Sequence, residues 1–371
     1  MLRERPSDSA AGNDRLGTPR EILVIRALQL GDLLCVVPAL RALRNRFPHA
    51  CVTFAGLPWA RAFAARFPRY VDRFIEFPGF PGLPERVCDV PGVVEFLRTV
   101  QARRFDLALQ LHGDGRLLNA VTALSGARQF AGFYPEGGYC PDPDRFLIWR
   151  NGEHEIVRYV RLMRELGVGD EDTELEFPVD DEDRREWADI VDGHGIDDGR
   201  YVCVHPGAQL SSRRWHAERF AAVSDRLSDD GYQIVLTGTA REQLLTRRVA
   251  TAMRHPAVDL TGVTSLGALA VLIARARLLV CNDTGVSHVA AAVRTPSVIV
   301  CCGSDFKRWA PLDRERHHVV HHPVACRPCG YVDCPIGHAC ADGISAGRVA
   351  MEAQRMLCSF SRSNVGKAGV H

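Results

Sequence analysis

The chain has 371 residues and a mass of 41.0 kDa, and its 46 Lys and Arg residues against 45 Asp and Glu residues leave a formal net charge of +1. This balance argues against a protein that holds nucleic acid by bulk charge. The sequence is 46% hydrophobic and 25% charged, close to average globular usage, so we expect two domains that each bury a core. The apolar runs are short and interrupted, which excludes a membrane-spanning helix of roughly 20 apolar residues.

The two ends of the chain are predicted to lie outside the folded domains. Residues 1–18 are polar, small and charged, with no apolar segment that would engage the secretion machinery. We therefore predict a disordered N-terminal arm in a cytoplasmic protein. Residues 361–371 are predicted to form a flexible tail.

The first predicted strand is the short apolar run at 21–26, and a glycine turn and a helical pattern over 33–46 follow it. Further strands are predicted at 51–55 and 105–111, with a Pro- and Gly-rich loop over 77–92 between them. Strands that alternate with helices indicate a parallel sheet.

The same alternation restarts after an acidic, Pro-containing stretch at 169–183, which we interpret as a linker. The second half is predicted to contain strands at 201–205, 233–238, 278–281 and 297–302, and helices at 217–228, 241–253, 265–274 and 286–293. We therefore predict an N-terminal domain over 19–175 and a C-terminal domain over 176–360.

Gly31 and Asp32 directly follow the first predicted strand. An open parallel sheet binds ligands outside the carboxyl ends of its strands, so this loop is a candidate site. Asp32 taken alone would equally be a helix cap. Gly31 adds that a ligand or another backbone segment can approach closely.

Ser212, Arg213 and Arg214 lie in the segment that follows the strand at 201–205 and its His-Pro-Gly-Ala turn. Hydroxyl groups donate to phosphate oxygens, and a guanidinium group offers a bidentate fork to an anion. Two adjacent arginines in a surface loop are otherwise usually only solvated.

Asp283, Thr284, Gly285 and His288 lie between an apolar strand and an Ala-rich helix. The unpaired N–H groups and positive dipole end of a helix N-terminus suit a phosphate. Glu242 follows another predicted strand and could accept hydrogen bonds from ribose hydroxyls. The alternatives are a first-turn glutamate favoured by the helix dipole for Glu242, and a bond to a loop for His288.

Five motifs in this order resemble glycosyltransferase family 9, the ADP-heptose:lipopolysaccharide heptosyltransferases. They are Leu-Gly-Asp at 30–32, His-Pro-Gly-Ala at 205–208, Arg-Arg-Trp-His-Ala-Glu-Arg-Phe at 213–220, Thr-Gly-Thr-Ala-Arg-Glu at 237–242 and Asn-Asp-Thr-Gly-Val-Ser-His at 282–288. The likeness runs from about residue 21 to about residue 356. It implies a GT-B fold of the α/β class, with two Rossmann-like domains facing across a cleft, the acceptor on the N-terminal side and the nucleotide sugar on the C-terminal side.

The resemblance also implies an inverting, metal-independent transfer of a sugar, heptose from ADP-heptose, to a lipopolysaccharide-core or related glycan. Asp32 matches the family's catalytic aspartate and would take the proton from the acceptor hydroxyl. The N–H groups of Thr284 and Gly285, with Arg213, would stabilise the leaving diphosphate without a cofactor. Glu242 matches the position that resembles the ribose contact.

The chain departs from the family pattern at three positions. Arg213 stands where a lysine is common, and His216 stands where a proline is common. Arginine keeps the charge but changes the geometry of a phosphate contact. Residues 27–29 replace a small, hydroxyl-rich run, which leaves the acceptor's identity open.

Cys326, Cys329, Cys334 and Cys340 lie in a short loop, 326–340, with spacing typical of metal ligands. Four thiolates would bind one Zn²⁺ tetrahedrally, so we predict a structural zinc clip. The alternative is a set of buried free thiols or a single disulfide.

The predicted partners are a nucleotide-sugar donor and a lipid-linked glycan acceptor, with no nucleic acid. The predicted location is the cytoplasmic face of the inner membrane, held by peripheral contact. A nucleotide-sugar epimerase of the same fold is one rival hypothesis, and Asp32 would be dispensable in it. A non-catalytic nucleotide-sugar or zinc-binding scaffold is the other, and the presence of both Asp32 and the Asp283–Gly285 motif argues against it.

Overall fold

The computed structural model describes residues 15–169 and 171–365, which form two compact units. Of the described residues, those up to Leu28 and those between Val36 and Thr173 belong to the first unit, and Gln29–Cys35 and those from Glu174 onward belong to the second. Residues 29–35, which are predicted to belong to the N-terminal domain, pack within the second unit instead.

The first unit is built on a six-stranded parallel sheet. Its strands are β1 (Glu21–Ile25), β2 (Cys51–Gly56), β3 (Arg73–Glu76), β4 (Leu107–Gln110), β5 (Gln129–Pro135) and β6 (Phe146–Trp149), in the order β3-β2-β1-β4-β5-β6. The helices in this half of the chain are α1 (Leu30–Leu34), α2 (Val37–Arg46), α3 (Ala60–Ala65), α4 (Val90–Arg103), α5 (Leu118–Leu124) and α6 (Glu155–Glu165). The central strands are continuous apolar runs because helices of a doubly wound fold cover both faces of such a sheet.

The second unit repeats this plan. Its strands are β7 (Tyr201–His205), β8 (Gln233–Leu236), β9 (Ala257–Asp259), β10 (Leu278–Asn282), β11 (Ser297–Cys301) and β12 (His317–His321), in the order β12-β11-β10-β7-β8-β9 and all parallel. Its helices are α7 (Asp181–His194), α8 (Ala217–Asp229), α9 (Gln243–Ala252), α10 (Leu266–Arg275), α11 (Gly285–Ala292), α12 (Phe306–Trp309), α13 (Ala339–Asp342) and α14 (Ala346–Val365), with 3₁₀ helices at Ser211–Arg213 and Ala240–Glu242. Counted from its own first strand, each sheet has the Rossmann order 3-2-1-4-5-6.

Two predicted segments differ from the structure near Pro and Gly residues. The predicted loop over 77–92 is shorter, because α4 begins at Val90 with a proline in its first turn, where a missing N–H costs nothing. The predicted helix over 33–46 is two helices, α1 and α2, and Pro38 lies in the first turn of α2.

The linker and the termini also differ from the predictions. Helix α7 begins inside the predicted linker, where Asp180 Oδ1 accepts a hydrogen bond of 2.9 Å from the Asp183 N–H. Residues 1–14 and 366–371 lie outside the described residues, but Arg15 donates to the Asp144 carbonyl at 2.7 Å and Leu16 is buried in the first unit. Helix α14 extends to Val365, into the predicted tail. None of the described helices combines the length and apolar character needed to cross a membrane.

Candidate functional site

The candidate donor residues lie where the strand order of the second sheet reverses. In a doubly wound sheet, ligands bind beyond the carboxyl ends of the strands at that point. Here it lies between β7 and β10, which pair directly, with Cys281 opposite His205. The loops that leave these two strands carry the motifs at 205–208 and 282–288, so the topology brings both motifs to one edge of the sheet.

One buried side chain, Asn282, joins these loops. Its Oδ1 accepts a hydrogen bond of 3.0 Å from the Trp215 N–H, and its Nδ2 donates to the Pro206 carbonyl at 2.6 Å. Asn282 is fully buried at the end of β10. Asn282 is not among the predicted site residues, although a polar residue that ends an otherwise apolar strand is a usable signal.

Arg213 is the residue at this edge best suited to receive an anion. It ends the 3₁₀ helix Ser211–Arg213, and its Nε is buried without a hydrogen-bond partner among the described residues. A buried N–H donor of a guanidinium group that lacks a partner is costly unless a ligand satisfies it. The neighbouring Arg214 differs, because its Nε donates to the Ala208 carbonyl at 2.8 Å.

The Ser212 hydroxyl group is used within the protein. Its Oγ donates to the Tyr331 carbonyl at 2.6 Å, and its N–H donates to the Val332 carbonyl at 2.9 Å. His338 Nε2 lies 2.8 Å from the Ser212 carbonyl oxygen. These bonds attach the loop 326–340 to the segment that carries Arg213, so the predicted donation from Ser212 to a phosphate would require this bond to Tyr331 to break.

Asp283 is a buried carboxylate beside arginines. Its Oδ2 accepts a hydrogen bond from the Ser304 hydroxyl, and the Cys301 thiol lies 3.9 Å from the same oxygen. Burial raises the pKa of Asp283, while the Ser304 hydrogen bond and the charges of Arg213 and Arg327 oppose the rise. The Asp283 carboxylate therefore lies within electrostatic reach of Arg213 and Arg327.

Helix α11 offers its N-terminus at the same edge. Thr284 is its N-cap in extended conformation, and in the described structure its side chain makes no capping hydrogen bond. The Thr284 carbonyl accepts from the Ser287 N–H at 3.0 Å and from the Ser287 hydroxyl at 2.8 Å. The first-turn N–H groups therefore keep the partial positive charge of a helix N-terminus.

Glu242 lies in the first turn of the 3₁₀ helix Ala240–Glu242, as the alternative for it predicts, and it also completes a capping box with Thr239. Its Oε2 accepts hydrogen bonds from the Thr239 N–H at 2.8 Å and from the Thr239 hydroxyl at 2.9 Å. Its Oε1 lies close to Gly207: a Cβ added to residue 207 would be only 2.0 Å from this oxygen. Burial lowers the pKa of His205, and the charge of Glu242 partly opposes this shift.

Asp32 lies in α1, a short helix that belongs to the second unit. Its Oδ2 accepts a hydrogen bond of 3.2 Å from the Gln29 N–H, and the Gln29 side chain accepts from the Asp32 N–H, which completes a capping box. The carboxylate is half-buried. Helix α1 packs on α11, so the structure brings Asp32 and the motif at 282–288 into one unit although they are some 250 residues apart in sequence.

The first unit has a cavity of about 560 Å³ next to α5 and the end of β5. It is lined by Gly115, Arg116, Asn119, Ala120, Ala123, Phe130, Pro135, Glu136, Gly137, Gly138, Tyr139 and Pro141. The lining combines aromatic rings with a guanidinium, a carboxylate and an amide. Such combinations suit a polar ligand that also has apolar faces.

The structure contradicts the predicted zinc clip. Across the described residues, no group of three or more His, Cys, Asp or Glu side chains is arranged to hold a metal ion. Cys340 is buried in the core, Cys329 packs against Gly303, Cys334 Sγ accepts from the His338 N–H at 3.2 Å, and Cys326 is exposed. All thirteen cysteines are free thiols, which agrees with the free-thiol alternative and not with a disulfide, although only Cys340 of the four is buried.

Comparisons with known proteins identify the family. The family model described as glycosyltransferase family 9 (heptosyltransferase) matches residues 93–339. Lipopolysaccharide heptosyltransferase 3 of Escherichia coli strain K12 is 24% identical over 293 residues, which cover 76% of this chain and 82% of that protein.

Solved structures share the fold. A glycosyl transferase family 9 protein from Veillonella parvula superimposes with a TM-score of 0.79 at 23% identity, covering 92% of this chain and 98% of that one. The E. coli heptosyltransferase WaaC, solved with ADP-2-deoxy-2-fluoro heptose, gives a TM-score of 0.61 at 18% identity, covering 90% of this chain and 99% of that one. The protein therefore has the GT-B fold and belongs to glycosyltransferase family 9, the heptosyltransferase family, and it is a glycosyltransferase.

Proposed function

We propose that this enzyme transfers heptose from ADP-heptose to a lipopolysaccharide-core or related glycan acceptor, with inversion at the anomeric carbon and without a metal ion. The observation that carries the donor site is the buried Nε of Arg213, which has no partner in the described parts of the chain, at the strand-order reversal. The names of the E. coli relatives and the bound ADP-sugar analogue of WaaC support the choice of donor.

Negative charge develops on the diphosphate as its bond to the anomeric carbon breaks and ADP leaves. Arg213 and the N–H groups of Thr284 and Gly285 would stabilise that charge, because fixed donors at a partly buried site need no reorganisation during the reaction. The buried Asp283 carboxylate would not bind the phosphate, since two anions repel each other, and it interacts with the positive charge of Arg213. Glu242 retains one oxygen beside Gly207 for the ribose hydroxyls.

Asp32 is the general base of the proposed reaction. Its carboxylate takes the proton of the acceptor hydroxyl while that oxygen forms a bond to the anomeric carbon. The bond from the anomeric carbon to the diphosphate breaks, and its electron pair leaves with ADP. The Gln29 N–H, 3.2 Å from Oδ2, orients the carboxylate.

The acceptor sugar is proposed to bind in the 560 Å³ cavity of the first unit, where Tyr139 and Phe130 provide ring faces and Arg116 and Asn119 provide donors. A lipid-linked acceptor would keep the enzyme at the cytoplasmic face of the inner membrane. Arg116→Ala together with Tyr139→Ala is expected to raise the KM for the acceptor and leave the binding of ADP unchanged. Unchanged acceptor KM would contradict this location.

Thermal stabilisation by a panel of nucleoside diphosphates and their sugars tests the proposal. ADP and ADP-heptose should raise the Tm of the wild type and of Asp32→Asn, but not that of Arg213→Ala. Arg248→Ala, which removes an exposed arginine paired with Glu218, should respond like the wild type. Asp32→Asn should lose transfer to a glycan acceptor.

Four outcomes would contradict the proposal. Selective stabilisation by a nucleotide other than ADP would reject the donor. An undiminished response of Arg213→Ala would reject the donor site. Turnover of the donor by Asp32→Asn in the absence of acceptor would instead favour the epimerase, and a wild type that binds ADP but transfers nothing would favour the scaffold.

A further inference from the structure

Helix α1 is fitted tightly against one side chain of α11, that of His288. A Cβ built on Gly31 would be 2.8 Å from the His288 Cδ2 and 3.3 Å from the Gly285 Cα. At the other end of α1, Cys35 Sγ lies 3.8 Å from the His288 Nδ1. His288 is only 3% exposed, so its imidazole is enclosed by protein rather than presented to a ligand.

These two contacts with His288 lie on one face of α1. Gly31 and Cys35 are four residues apart, so they share the face of α1 that meets α11. Asp32 follows Gly31 and is rotated from it by about 100°, because a helix has 3.6 residues per turn. The direction of the Asp32 carboxylate therefore depends on how α1 is rotated against α11.

The same helix carries the proposed phosphate contacts. Gly285 starts α11, and His288 is one turn further along, on the same face. A Cβ on Gly285 would be 3.1 Å from the Gly31 N and from the Leu30 Cβ, so α1 also touches the helix start. The base and the leaving-group site are thus held by a single element of the second unit.

We propose that His288 is a positioning residue that fixes α1, and with it the direction of Asp32, and that it does not contact the donor. This inference rests on the proposed role of Asp32 as the base. Gly31 is required by the same contact, because any side chain at this position would displace the imidazole or the helix.

Steady-state kinetics with two substitutions at position 288 test the inference. His288→Ala removes both contacts and is expected to lower kcat by about tenfold to a hundredfold, since small displacements of a catalytic group are costly, with the donor KM within about twofold of the wild type. In His288→Asn the amide atoms take the places of Nδ1 and Cδ2, so kcat should recover to within about threefold.

Thr295→Ala is the matched control at the other end of α11. It removes the buried hydrogen bond of 2.8 Å from the Thr295 hydroxyl to the Ile273 carbonyl, so it should lower the Tm and leave kcat unchanged. A wild-type kcat in His288→Ala would overturn the inference. So would an Asn variant as slow as the Ala variant, which would indicate that the imidazole itself takes part in proton transfer.

A double-mutant cycle on the free energy of unfolding measures the contact between Gly31 and His288 without any substrate. Gly31→Ala should lower the free energy of unfolding much less when His288 is already alanine, because the clashing ring is absent. Additive effects of the two substitutions would overturn the role of His288 even in an enzyme that transfers sugar. A non-additive cycle in a protein that transfers no sugar would reject the proposed function and, with it, the positioning of a base.

Discussion

His317 is a buried imidazole at the start of β12, and its Nδ1 lies 2.8 Å from the Ser297 hydroxyl oxygen. Burial lowers its pKa to about 4; the charge of Asp313 opposes this shift, and the charges of Arg316 and Arg314 reinforce it. The folded protein therefore holds His317 neutral over a pH range in which the unfolded chain takes up a proton.

The free energy of unfolding should fall as the pH drops from about 6.5 towards 4, because only the unfolded state binds a proton at position 317 in this window. The pKa difference corresponds to a loss of roughly 3 kcal/mol, fully developed near pH 4. Urea titrations between pH 7 and pH 4 should give a shallower pH slope for His317→Asn than for the wild type. Equal pH slopes of the unfolding free energy in the wild type and in His317→Asn would contradict a lowered pKa of His317. His205, whose pKa burial also lowers, should leave a residual slope of the same sign in the variant.

Asn282 is the residue on which the geometry of the donor loops most depends. Asn282→Ala leaves the Trp215 N–H and the Pro206 carbonyl without their partner, which should cost about 1–3 kcal/mol per orphaned group and release both loops. Thermal melts with and without ADP are the measurement. Tyr201→Phe, which removes a buried hydrogen bond to the Leu272 carbonyl, is the control and should lose stability but keep the response to ADP. If ADP raised the Tm of Asn282→Ala and of Tyr201→Phe equally, the proposed role of Asn282 in the donor loops would be wrong.

At the scale of elements, the turn after β7 and the start of α9 are fitted to each other. Gly207 and Glu242 are close enough that no Cβ fits between them, and Glu242 also caps the 3₁₀ helix that leads into α9. The absence of a side chain at position 207 thus allows the turn and the helix start to be adjacent.

Gly207→Ala should displace Glu242 from Thr239 and lower stability by about 1–3 kcal/mol, because the added methyl group overpacks the turn. Glu242→Ala removes the obstructing carboxylate, so Gly207→Ala should cost clearly less in that background. Differential scanning calorimetry of the two single variants and the double variant provides the comparison. Equal losses in the two backgrounds would show that Glu242 is not the obstacle.

At the scale of the whole molecule, the two units have separate cores, and the first contains a buried charged network. Arg26 donates to the Leu111 carbonyl and to the Tyr159 hydroxyl, and its guanidinium lies 3.6 Å from Glu155 Oε1. The Tyr159 hydroxyl donates to the same oxygen at 2.6 Å, and Arg158 Nε lies 3.4 Å from Oε2. Removing one member of such a network leaves a buried charge uncompensated.

Glu155→Ala should therefore destabilise the first unit by about 3–5 kcal/mol. The proposed binding of ADP depends on the second unit alone, so ADP should still protect that unit from proteolysis. Glu165→Ala is the matched control on the same helix, since its partner Arg164 is an exposed arginine. Peptide mapping of limited proteolysis would locate the loss; cleavage that increases equally in both variants would contradict the network's role.

Local pattern alone determined most of the second sheet. The strand at 201–205 was predicted with its observed bounds, and the strands at 278–281 and 297–302 are each within one residue of the structure, because continuous apolar runs bounded by turns mark strands buried on both faces. β3, whose residues are exposed or half-buried, and α4, whose start carries Pro and Gly, lacked that signal.

The motifs also placed the candidate residues at strand ends, but only the tertiary structure decided what each side chain contacts. It packs α1, which carries Asp32, on α11, and it bonds the Ser212 hydroxyl to the loop 326–340. It also leaves the four thiols of that loop without the arrangement of a metal site, and it joins two loops through the Asn282 side chain. Periodicity and turn chemistry act between neighbours in sequence, so they specify elements. Contacts between residues a hundred or more positions apart depend on how the elements pack, and that is set by the whole core rather than by any local pattern.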